Sequence, residues 1–201
     1  MSRFYRGMHL VLAPIIRVLF RIRVEGLENI PAEEGVVFCA NHSAAIDPLL
    51  FCVSLPRSAP VAIMAKAEVM RLPVIGAFFR ALGAFSVSRG SSDMRSMRYA
   101  IKTVKDGANL LVFPEGTRVR QPGAVRAKGG IVMIAVRTGA RLLPVYIGGK
   151  KRPFGGVRVV FGAPYHTETS SRRATAEEYQ SFADDALKRI YALGGINAEW
   201  K

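Results

Sequence analysis

The sequence predicts an α/β fold: a single domain with a largely parallel twisted sheet covered by helices. Three observations lead there. Short β-rich apolar runs recur along the chain, segments of helical spacing separate most of them, and no linker, repeat or low-complexity tract divides it. The 201 residues, half of them apolar, can build one substantial core and not two comfortable ones. A mean hydropathy of +0.18 excludes a mainly disordered chain.

The stretch from Met8 to Phe20 is apolar apart from His9 and Arg17. It falls short of the roughly 18 to 20 residues that a bilayer-spanning helix needs. Arg17, Arg21 and Arg23 stand where a signal peptide would carry small residues and a cleavage site, so export is not expected. At about 100° per residue, Arg3, Arg6, Arg17 and Arg21 fall within an arc of about 60°, and Leu10, Leu12, Ile15, Ile16 and Leu19 fill much of the remainder. This is the pattern of an interfacial helix, kinked at Pro14, whose four arginines face an anionic membrane surface. Residues 1–23 are therefore expected to form an amphipathic membrane-contact segment ahead of a domain spanning 24–201.

Strands are expected at 36–39, 61–64, 84–87, 110–113, 142–147 and 157–161. Between them, Met94, Met97, Ile101 and Val104 share one face of a helix ended by Asp106-Gly107, with Arg95, Arg98, Lys102 and Lys105 on a solvated one. Segment 69–85 is apolar apart from Arg71 and Arg80 but interrupted by Pro73 and Gly76, which suits an apolar lip or core helix. A helical run spans 131–137. Near the C-terminus, Thr175 and Glu178 form a capping box before apolar residues spaced by three and four, and this last helix is expected to be purely structural.

Twenty-nine Lys plus Arg against fifteen Asp plus Glu give a net charge of +14, which attracts anions: a membrane, a phosphate or nucleic acid. Cys39 sits in a strand-like run and Cys52 in a helical one, so neither a disulfide framework nor a metal cluster follows. With His9, His42 and His166 as the only histidines, no CxxC or HExxH spacing can be assembled, and no metal is expected. These features fit a cytoplasmic compartment.

Two segments carry chemistry. Asn41-His42-Ser43-Ala44-Ala45-Ile46-Asp47-Pro48 follows a strand, at the carboxyl end of the sheet where α/β proteins bind ligands. With Asp47 as the N-cap of a helix and Pro48 in its first turn, the carboxylate can fold back onto His42, giving a base and its orienter. A loop histidine and a helix cap would explain the same residues. Phe113-Pro114-Glu115-Gly116-Thr117-Arg118 follows another strand, and its turn is expected to present Glu115 and Arg118 together, the guanidinium suited to phosphate and the carboxylate to a hydroxyl. A plain Arg-Glu ion pair would also fit. Lys128-Gly129-Gly130, at the start of a helix, could add an anion site.

The two segments in this order resemble those of the glycerolipid acyltransferase family, in particular the bacterial 1-acylglycerol-3-phosphate acyltransferases. Between them, Lys66, Glu68, Pro73, Gly76, Gly83 and Arg89 are similar to the family's middle block, and Leu143-Pro144-Val145-Tyr146-Ile147 to its last one. The resemblance runs from about Gly26 to Gly162. Ala44, Ser88 and Val119 depart from it, standing where the family often has serine, an acidic residue and a small polar one.

The resemblance implies transfer of a fatty acyl group from acyl-CoA or acyl carrier protein to the free hydroxyl of 1-acylglycerol-3-phosphate, forming phosphatidic acid. It implies His42 as general base, Asp47 as its orienter, and Glu115, Gly116, Thr117 and Arg118 as the acceptor site, with Lys66, Arg89 and Lys128 as further phosphate contacts. No cofactor is implied. The enzyme would work as a monotopic or peripheral protein at the cytoplasmic face of the cell membrane. Another lysolipid, such as a lyso-ornithine lipid, is the alternative acceptor. A basic nucleic-acid-binding module is the remote one, because the basic residues lie beside aliphatic and not aromatic ones.

Overall fold

The computed structural model describes residues 7–32, 35–71, 73, 76–77, 80, 84–87, 94–167 and 174–197. One π-helical turn, Met8–Leu12, leads into helix α1, Ala13–Leu19, whose Pro14 lies in the first turn where its missing N–H is not needed. There follow strand β1 (Ile22–Glu25), a 3-10 turn (Leu27–Asn29), β2 (Val37–Ala40), α2 (Asp47–Ser54), β3 (Val61–Lys66), α3 (Ala67–Arg71) and β4 (Ala84–Val87). The second half contributes α4 (Met94–Lys105), β5 (Asn109–Val112), α5 (Gly130–Thr138), β6 (Leu142–Gly149), β7 (Val157–Phe161) and α6 (Ala176–Leu193).

The strands form one sheet in the order β1-β7-β6-β2-β5-β3-β4. Every pairing among the described strands is parallel except β6 with β7, which are antiparallel. The central strands β2, apolar throughout, and β5, apolar after Asn109, are buried along their whole length, as strands covered on both faces must be. Along β2 the side chains alternate. Phe38 and Ala40 join the core beneath α1 and α2, while Val37 and Cys39 join the core beneath α4, α5 and α6. The Phe38 ring packs edge-on against Phe51 at 5.1 Å and Phe161 at 6.1 Å, tying β2, α2 and β7 together.

The expected helices at 94–105 and 131–137 and the capping box of Thr175 and Glu178 are found, and Gly107 takes the left-handed conformation that ends α4. Of segment 69–85, only α3 and a few residues beyond it lie among those described. Cys39 and Cys52 are buried and unbridged; burial raises both thiols, that of Cys52 to about 12.

Strand β1 was not anticipated. Its Ile-Arg-Val-Glu alternates in burial as an edge strand should, but Arg21 and Arg23 make the same residues look like the end of the interfacial stretch. The expected division after residue 23 falls inside this strand. Upstream of it, Ala13 and Phe20 are buried in the core, and the carbonyls of Leu19 and Phe20 accept hydrogen bonds from Phe154 N (2.6 Å) and Val157 N (3.1 Å). Helix α1 is thus clamped to the β6–β7 hairpin.

Candidate active site

β2 and β5 are neighbours and parallel, so the loops that follow them leave the same edge of the sheet side by side. Asn41, just past β2, is buried. Its Nδ2 donates to Ile147 O (3.1 Å) while its Oδ1 accepts from Ile147 N (2.7 Å), so the amide prolongs the pairing with β6 and fixes where the loop departs. His42 comes next. Its Nδ1 lies 3.1 Å from Oδ2 of Asp47, and that oxygen also accepts from the amides of Ser43 and Ala44, both at 2.7 Å.

Asp47 is fully buried. Burial by itself would raise its pKa, but the hydrogen bond to His42, the charge of Lys151 and the Ala44 amide outweigh it and hold the carboxyl below its ordinary range. An ionised carboxylate can only accept, so the ring nitrogen that faces it, Nδ1, carries a proton, and in the neutral imidazole the lone pair is then on Nε2. The imidazole stacks on Phe113 at 4.3 Å, which limits its rotation. The expected N-cap role needs correcting: Ile46 holds the cap position and Asp47 is the first residue of α2, because its carboxylate reaches back to amides 43 and 44 and not forward into the helix.

The turn after β5 closes through Gly116 N to Phe113 O (2.9 Å), with Gly116 at φ +64°. A Cβ there would also come within 2.8 Å of the Lys128 side chain, which crosses over the glycine. The structure does not bring Glu115 and Arg118 together. Glu115 is only 2% exposed and turns inward: Oε2 accepts from His42 N (2.7 Å) and Oε1 from the Tyr191 hydroxyl. Burial raises its pKa more than these bonds and the His42 charge lower it. Thr117 and Arg118 face solvent, and Val119 N donates to His42 O (2.7 Å). The backbone of His42 is thereby gripped at both its N–H and its C=O by the 115–119 turn. Lys128 joins the same turn, its N–H donating to Pro114 O (2.8 Å).

Of the other expected contacts, Lys66 ends β3, and its side chain, like Arg89, Arg3 and Arg6, lies outside the described residues. Arg17 turns toward the protein, its Nε donating to Val53 O (2.6 Å), and Arg21 lies over the Phe154 ring. Two residues of the site went unsuspected. Tyr191 comes from α6, which thereby reaches the site through Glu115. Lys151, from the β6–β7 loop, places Nζ 2.6 Å from Oδ1 of Asp47. Nothing in the run Gly148-Gly149-Lys150-Lys151-Arg152 distinguishes this lysine from solvated neighbours. Beside it opens a cleft of about 130 Å³ lined by Asn41, Ser43, Arg120, Tyr146, Gly148 and Tyr191, among others.

Residues 21–148 match the acyltransferase family model. The chain belongs to the acyltransferase family. It is 36% identical over 127 residues to a 1-acyl-sn-glycerol-3-phosphate acyltransferase of Borreliella burgdorferi, a match covering 62% of this chain and half of that protein. The enzyme of the same name from Bacillus subtilis is 30% identical over 178 residues, covering 86% of this chain and 87% of the relative. A lyso-ornithine lipid O-acyltransferase of Pseudomonas aeruginosa is 32% identical over 130 residues, 64% of this chain and 47% of that one. Among solved structures, the 1-acyl-sn-glycerophosphate (LPA) acyltransferase PlsC of Thermotoga maritima superposes with a TM-score of 0.69 at 28% identity, covering all of this chain and 86% of that one. This acyltransferase therefore shares its α/β architecture with a solved relative, and its His42 and Arg118 segments both fall within the matched family region.

The buried Glu115 gives a testable sign. Its folded-state pKa lies above the unfolded one, so its contribution to stability is greatest below the unfolded pKa and is lost as pH rises through the folded value. Relative to Glu115→Gln, wild-type stability in urea should therefore decline as pH rises above the ordinary glutamate pKa of about 4.3. A difference that stays constant or grows over that range would contradict the burial-dominated environment.

Proposed function

We propose that this acyltransferase transfers a fatty acyl group from a thioester, on coenzyme A or acyl carrier protein, to the free hydroxyl of 1-acylglycerol-3-phosphate, giving phosphatidic acid. The observation that carries this reading is a histidine whose Nδ1 is anchored to a buried carboxylate, backed onto a turn that exposes an arginine. Nε2 of His42 removes the acceptor hydroxyl's proton as its oxygen attacks the thioester carbonyl, and Asp47 stabilises the imidazolium. The tetrahedral intermediate collapses with loss of the C–S bond, and the proton passes to the departing thiolate. No protein nucleophile takes part.

Arg118 is the principal partner of the acceptor phosphate, with Gly116 and Thr117 shaping the turn and Lys128 beside it; Lys66 and Arg89 are supplementary candidates. The names of the Borreliella, Bacillus and Thermotoga relatives support a lysophosphatidic acid acceptor. The Pseudomonas relative favours a second reading, acylation of a lyso-ornithine lipid, which lacks the phosphate that Arg118 suits. His42→Ala is expected to lower acyl transfer by on the order of 100 to 10,000-fold with the fold intact. Near wild-type turnover of lysophosphatidic acid by that variant would refute the mechanism, and a wild-type preference for lyso-ornithine lipid would move the acceptor to the second reading.

We infer further that the N-terminal segment meets an anionic membrane from its cytoplasmic face. Leu10, Val11, Ile15 and Val18 are 57 to 73% exposed, and Phe154 adds an exposed ring beside Arg21. Among the described residues no helix is long and apolar enough to cross a bilayer. Deleting residues 1–22 would remove Phe20 from the core, so the cleaner test is Ile15→Asp with Val18→Asp. These exposed changes should release the folded protein from anionic vesicles on sedimentation, and undiminished binding would count against the contact.

A further inference from the structure

We propose that Lys151 is a positioning residue of the acyl-transfer site: by holding the second oxygen of Asp47 it fixes the carboxylate and offsets its charge, so that His42 is kept available as the base. The proposal rests on His42 acting as the base. Lys151 reaches both walls of the loop, with Nζ 2.6 Å from Asp47 Oδ1 and donating to Ser43 Oγ at 2.5 Å. Its side chain is only 9% exposed. The backbone that carries it is anchored, through Lys150 N to Gly156 O (2.9 Å), Arg152 N to Lys150 O (2.8 Å) and the bond from Phe154 N to helix α1. An ammonium withdrawn from water to this degree needs an opposite charge, and a carboxylate with no exposure needs a donor on each oxygen. Oδ2 already has the imidazole and two amides; for Oδ1 the structure supplies Lys151.

The charges that face His42 explain why this matters. Asp47 approaches from α2 and Glu115 from the turn after β5, with the Tyr191 hydroxyl from α6 behind it. Both carboxylates favour an imidazolium, which cannot act as a base. Lys151, from the β6–β7 loop, is the cation in contact with this group, and Arg120 lines the same cleft farther along the loop after the 115–119 turn. Without the ammonium, the His42–Asp47 pair takes up its proton at higher pH, since a positive charge that opposed protonation has gone. At a fixed pH below that point, fewer molecules carry a usable base.

The test is the pH profile of kcat/KM for Lys151→Met, Lys151→Gln and Lys151→Arg, read with lysophosphatidic acid and acyl-CoA. In the two neutral variants the acid limb should move up by about one pH unit, with activity below it reduced about tenfold and largely regained on the alkaline side. Gln retains a hydrogen-bond donor without the charge, so a shift in this variant assigns the effect to charge. Lys151→Arg should keep the limb at its wild-type position. An unmoved limb in a folded neutral variant overturns the proposal. So does failure of both neutral variants to fold while Lys151→Arg folds, which would make the lysine structural. If His42→Ala itself turns over substrate, the underlying reading fails instead; if His42→Ala is dead and the limb still does not move, only the role of Lys151 falls.

Discussion

The carboxylate of Asp47 is the constraint around which the 42–47 loop is built. A fully buried carboxylate is tolerated only when its lone pairs are engaged, and here the amides of Ser43 and Ala44, the imidazole of His42 and the ammonium of Lys151 engage them. The carboxylate closes the 42–47 loop, starts α2, selects the tautomer of His42 and reaches across to the β6–β7 hairpin. Removing Lys151 would leave the buried carboxylate without an opposite charge, a change that typically destabilises by about 3 to 5 kcal/mol for an ion pair. One residue therefore joins local conformation, tertiary packing and chemistry.

Around that centre, each remaining element has a positional task. The parallel pairing of β2 with β5 delivers the 115–119 turn to the backbone of His42. Asn41 extends the pairing of β2 with β6 just past the end of β2. Helix α6, near the end of the described chain, sends Tyr191 to Glu115, and helix α1, near its beginning, ties down the loop that carries Lys151. The exposed apolar residues of α1 and the buried lysine are thus joined through a single hairpin. Arg118, on that turn, and Lys128, bonded back to it through Pro114 O, stay at the surface.

Much of this was legible in the sequence, and the exceptions share a cause. The strands after residue 35, the helix at 94–105 and the capping box at Thr175 follow from periodicities and local turn chemistry that need no knowledge of the fold. The His42–Asp47 contact was readable too, because six residues and a helix start fix its geometry. Strand β1 was hidden because two arginines on an edge strand look like the flank of a basic helix. The inward turn of Glu115 was hidden because a carboxylate beside an arginine in a turn suggests a shared ligand; its orientation is set by His42 N and by Tyr191, 76 residues away. Lys151 stands more than 100 residues from Asp47 in a run of basic residues, and only the antiparallel return of β7 places its loop beside the site.

The measurement that bears most directly on this arrangement is acyl transfer by Asp47→Asn at saturating acceptor, with far-UV circular dichroism of the same sample. An amide in place of the carboxylate keeps the shape of the loop but no longer enforces the Nδ1–H tautomer or stabilises an imidazolium, a change that reduces turnover by up to roughly 10,000-fold in comparable triads. The variant should remain folded while kcat falls by at least about 100-fold. A folded Asp47→Asn protein that turns over within a few-fold of wild type would show that the buried carboxylate does not organise the chemistry.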